Sequence, residues 1–134
     1  MRRLRQERGT AAVEFALVST LLFIILFGLI EFGIAFSQYE VYVSAAREGA
    51  RLAAVRCAPT PPCGAGDISG AVTGAAVGYT IGPGTPTADI ACDDTAAANG
   101  DSVTVSWTQH FSIQIPFAPD LSFDRAIEAV FRCE

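Results

Sequence analysis

At 134 residues and 14.1 kDa the chain has room for one small domain, which excludes a two-domain enzyme. A formal charge of −5 and a pI of about 4.7 exclude the basic footprint of a nucleic-acid-binding protein, and a hydrophobic fraction of 51% excludes a disordered chain. The mean hydropathy of +0.37 comes from one place: Phe15 to Ile30 reads FALVSTLLFIILFGLI without a charge, whereas the rest is fairly polar.

All nine basic residues are arginines, and Arg2, Arg3, Arg5 and Arg8 crowd the first eight positions. The stretch from Ala11 to Phe36 that follows carries only Glu14 and Glu31 as charges. A spanning helix needs roughly 20 mostly apolar residues, and the residues after Arg56 are too few to wrap a helix that is apolar all round. A transmembrane helix is therefore expected over about 11–36. Arginines before it and acids after it predict a cytoplasmic N-terminus and an exported C-terminus. An ordinary secretory signal peptide has a similar start, but its apolar core is only about 7 to 15 residues and ends at a small-residue cleavage site. Here the run passes without proline into FGIAFSQYEVYVSAAREGARLAAVR, which predicts one rod over 10–56, roughly 70 Å long at 1.5 Å per residue.

Glu14 is costly at the head of such a helix. The helix dipole favours an anion in the first turn, but the whole string ERGTAAVEF says more. A basic leader, Gly9, four residues, then Glu14 and Phe15 at the start of an apolar helix resembles the cleavage site of type IV prepilins. That resemblance implies a membrane prepilin peptidase cutting between Gly9 and Thr10, with Glu14 fifth in the mature chain. A carboxylate there can pair with the terminal amine of a neighbouring helix, so that neither charge stays alone in lipid. Losing four arginines and one glutamate with the leader, residues 1–9, takes the formal charge from −5 to −8.

Three blocks narrow the resemblance: GTAAVEFALV at 9–18, FGLIEFGIAF at 27–36 and AAREGAR at 45–51 look like the N-terminal region of TadE-like proteins, the pseudopilins of the Tad (Flp) pilus system. The resemblance implies a pseudopilin or minor pilin held in the inner membrane, with other pilin subunits, the pilus assembly machinery and the lipid bilayer as partners. It implies neither an enzyme nor a cofactor. Where many members carry a proline after the EFALV string this chain has Ser19 and Thr20, which removes the expected cause of a kink. The rival readings are an uncut scaffold of a secretion machine and an exported ligand-binding protein, the latter requiring an apolar pocket on the small domain.

Small residues recur four apart at Ala12 and Ala16, at Gly33 and Ser37, and in two adjacent rows, Ala45–Gly49–Ala53 and Ala46–Ala50–Ala54. The last two rows are expected to seat the helix against the exported domain. Glu31 stands about 25 Å beyond Glu14 and roughly 100° around the helix, as an end-marker of the apolar run or a partner contact rather than half of a shared site. Arg47, Glu48 and Arg51 form an expected ion-pair cluster, exposed or facing another subunit.

Cys57, Cys63, Cys92 and Cys133 all follow the membrane helix, where an oxidising compartment favours disulfides. Of three connectivities, Cys57–Cys63 across CAPTPPC and Cys92–Cys133 are preferred; zinc fits none of the spacings. Asp67 to Tyr79 allows a short helix, and Val77, Tyr79 and Ile81 a brief strand. Val103, Val105, Trp107, Phe111, Ile113 and Ile115 alternate with polar residues as a half-buried strand over 103–115, broken by Gln109. Ile127, Ala129, Phe131 and Cys133 make a second period-2 set. His110 falls on the polar face with no evident acid partner, and Asp93, Asp94, Asn99 and Asp101 read as a solvated acidic turn without an EF-hand spacing. The expected fold is α+β: a long transmembrane helix running into a small disulfide-stapled antiparallel domain over 57–134.

Overall fold

A computed structural model of the chain describes residues 3–56, 65–89, 102–116 and 119–133. Helix α1 runs unbroken over Arg3–Arg56, 54 residues and about 81 Å. It is longer than the expected rod because the leader continues the same helix through Gly9. At Ser19 and Thr20, both hydroxyls donate to the Ala16 carbonyl, at 3.1 and 2.8 Å, and the helix carries on. Helix α2 covers Ala65–Ala75. Among the described residues an antiparallel sheet follows in the order β1 (Thr87–Ala88), β2 (Ser102–Ile113) and β3 (Leu121–Arg132).

The sheet register places Ser102 opposite Arg132, Trp107 opposite Ile127 and Ile113 opposite Leu121. One face of β2, with Val103, Val105, Trp107, Phe111 and Ile113, is buried and lies against α1. On the helix side the core is built from Tyr42, Ala45, Ala46, Ala50, Ala53 and Ala54, all nearly inaccessible. The two small-residue rows thus seat α1 on the domain as expected. Small side chains bring the helix backbone close, and the larger Ile68 and Val72 of α2 and Ile127 of β3 fill the space. The C-terminal half of α1 is consequently part of the domain core, not a stalk beneath it.

Three expectations need revision. No strand forms over 77–81: Gly78 takes φ +84°, the Tyr79 N–H donates to the Ala76 carbonyl at 3.1 Å, and the chain turns. It pairs with β2 further on, through Pro83 opposite Gln109 and then β1. Strand β2 stops at Ile113, short of Ile115, where its pairing with Leu121 ends; continued, the register would set Ile115 opposite Pro119, which has no N–H to extend the ladder. Strand β3 begins earlier than its period-2 set, at Leu121; its first six residues are exposed, so no burial pattern marks them.

Cys133 is a buried disulfide cysteine at the end of β3. Cys57, Cys63 and Cys92, and with them the expected pairing, lie outside the described residues, as do Asp93, Asp94, Asn99 and Asp101.

Candidate assembly surface

The N-terminal half of α1 is uncovered. Gly9, Thr10 and Glu14 are exposed, Phe15 is 73% exposed, and large apolar side chains from Val13 to Leu26 remain open all round the helix. A helix apolar on every face and without a protein cover has lipid or other helices as its natural surroundings. This part of α1 is long and apolar enough to cross a membrane. Among the described residues Glu14 makes no ion pair, and the fold leaves it well away from Glu31.

Burial begins on one stripe of α1 and strengthens along it: Gly28, Glu31, Ala35 and Tyr39 are half-buried, then Tyr42, Ala45, Gly49 and Ala53 are buried. Steps of three and four keep these residues on one helix face. Glu31 therefore lies on the side that meets the domain. Arg47, Glu48 and Arg51 lie on the other side; the Glu48 carboxylate accepts from the Arg51 guanidinium at 3.5 Å, with both side chains at least half exposed. A pair this exposed contributes at most about 1 kcal/mol to the fold, which leaves its charges open to a partner.

Where α1 emerges from the apolar run an aromatic cluster binds it to the sheet. Phe111 stacks on Phe123 with centroids 5.6 Å apart and meets Tyr42 edge-on at 5.8 Å, while Arg125 lies over the Tyr39 ring at 5.6 Å. Beside the cluster is an open apolar groove of about 260 Å³, bounded by Phe32, Phe36, Tyr39, Ile113, Phe123 and Arg125. It is shallow for a small-molecule site, most of which enclose about 300 Å³ or more.

Gln109, which interrupts the apolar alternation, is buried and organises a polar knot. Its Oε1 accepts from Trp107 Nε1 at 3.2 Å and from the Gly82 N–H at 3.1 Å, and its Nε2 donates to the Thr80 carbonyl at 3.4 Å. The Tyr42 hydroxyl donates to that same carbonyl at 3.0 Å, tying α1, the 80–84 segment and β2 together. Burial raises the Tyr42 phenol pKa, and Tyr79 beside it adds to the effect. No described buried side-chain polar atom lacks a partner.

His110 does have an acid partner, contrary to expectation: its Nδ1 lies 2.7 Å from Asp124 Oδ1, both groups more than half exposed. The two are directly opposite in the β2–β3 register, and strand pairing was the missing signal. Among the described residues no three His, Cys, Asp or Glu side chains converge as a metal site.

Residues 9–51 match the family model of the TadE-like protein. No curated protein and no solved structure matches the chain.

Proposed function

We infer that the chain is a pseudopilin or minor pilin of the Tad pilus, cut after Gly9 by a prepilin peptidase; the match of residues 9–51 to the TadE-like family supports this reading. In this reading it is a structural subunit and not an enzyme. It is stored in the inner membrane through α1, with the leader cytoplasmic and the small domain outside, until it joins other pilin subunits at the assembly machinery.

The observation that carries the reading is a division within α1 that the family match spans. Its first half is exposed and apolar on all faces, and its second half is locked into a domain. Such a chain can leave the bilayer only if comparable helices cover the exposed half, because the stretch from Val13 to Phe36 is too apolar to stand in water. Glu14 supports the same conclusion. It stands exposed near the start of the apolar run, where a neighbour's terminal amine would neutralise it. Gly9 and Thr10 are exposed in the helix just before it, within reach of a protease that locally unwinds the turn.

Intact mass and N-terminal sequencing of the membrane-extracted protein test this directly. Thr10 as the first residue is the expected result; an intact Met1 would replace the pseudopilin by an uncut membrane-anchored scaffold.

A further inference from the structure

We propose that the lower end of the β2–β3 hairpin is a second membrane contact, seated in the interfacial layer of the bilayer that α1 crosses. This rests on the reading of α1 as a spanning helix and adds a lipid-facing surface on the sheet domain.

Three observations converge on it. The first is axial level. Ile115 reaches α1 at Gly28, where its Cδ1 would lie 3.8 Å from a β-carbon on the glycine, and Pro116 borders an apolar hollow with Phe23, Ile24 and Phe27. A hydrocarbon layer of about 30 Å takes about 20 helical residues, so counted from Ala11 it ends near Glu31. Gly28 lies about 4.5 Å inside that limit and Ile24 about 10 Å, the depth at which interfacial elements bury their apolar faces.

The second observation is the placement of charge. From Phe111 to Pro116 the descending strand and its exit carry none. On the returning strand the first charged residue described is Asp120, one position before the Ile113–Leu121 pair, and Ile113 borders Phe32 and Phe36 just beyond Glu31. Leu121 is 57% exposed and Phe123 is 40% exposed, both apolar surfaces without a cover. Above them Arg125 lies over Tyr39, eight residues and about 12 Å along α1 beyond Glu31, so the charge stands on the aqueous side of the boundary.

The third is backbone chemistry. Non-helical backbone is expensive in lipid because its N–H groups go unpaired. Pro116 and Pro119 remove two of those donors from this end of the hairpin. A bilayer interface, apolar below and wet above, fits these features better than bulk water.

The test uses the full chain in bilayer nanodiscs with phospholipid brominated in its acyl chains, which quenches tryptophan on contact. Three variants each add one tryptophan to the constant background of buried Trp107: Phe23→Trp in the span, Leu121→Trp at the hairpin end, and Val130→Trp at an exposed site higher on β3. The added emission of Phe23→Trp is expected to be largely lost in brominated lipid, that of Leu121→Trp, at the edge of the hydrocarbon, to be partly lost, and that of Val130→Trp to be retained. If Leu121→Trp behaves like Val130→Trp while Phe23→Trp is quenched, the spanning helix stands and the hairpin contact is overturned. A Leu121→Trp emission that is blue-shifted but unquenched assigns this end to protein and also overturns it. Loss of quenching in Phe23→Trp itself removes the spanning reading on which the proposal depends.

Discussion

Gly49 of α1 and Val72 of α2 are packed so closely that a β-carbon on the glycine would collide with the valine Cγ2. Gly49 belongs to the AAREGAR block, and this contact gives that glycine its physical reason. Gly49→Ala is expected to destabilise the domain by about 1–3 kcal/mol through overpacking. Thermal unfolding of the detergent-solubilised chain would show it, and adding Val72→Ala should return part of the loss by vacating the contested volume.

Gln109 yields a second prediction. Replacing it with leucine preserves the apolar alternation but strands the Trp107 and Gly82 N–H donors. A cost of about 1–3 kcal/mol is expected for the unsatisfied groups, read as a lower urea midpoint. Combining it with Trp107→Phe should cost less than the sum of the two single changes, because one stranded donor disappears.

Tyr42 makes stability depend on alkaline pH. Its folded pKa lies above the ordinary 10.0, so the unfolded chain releases the proton first. The contribution is fully present below pH 10.0 and is lost as pH rises from there through the folded value. Tyr42→Phe should flatten that alkaline slope and remove about 1 kcal/mol at neutral pH with the bond to Thr80. Denaturation midpoints at several pH values compare the two.

Glu14→Ala separates processing from assembly. The side chain is exposed and contributes nothing to the packed domain, so folding should be unchanged. The variant is expected to be cleaved and to fail in pilus assembly, which immunoblotting and electron microscopy would read separately. Normal piliation would remove the charge-pairing argument.

The N-terminal half of this protein was legible because its physics is local and one-dimensional: an unbroken apolar run fixes a helix long and apolar enough to cross a membrane. The small-residue rows of α1 and the buried face of β2 were equally readable, since the periods of 3.6 and 2 express burial directly. Residues 77–81 alternate like a strand, but Val77 is exposed and only Tyr79 and Ile81 pack on the core, from a turn that Gly78 permits. The His110–Asp124 contact, the knot at Gln109 and the hairpin end beside Gly28 depend on which residues lie opposite each other. Sequence alone determined that there is a membrane helix and a small strand-bearing domain after it. Only the tertiary structure decided that the domain takes half of that helix into its core and descends along it to Gly28, because strand register and helix docking are set by contacts between residues far apart in the chain.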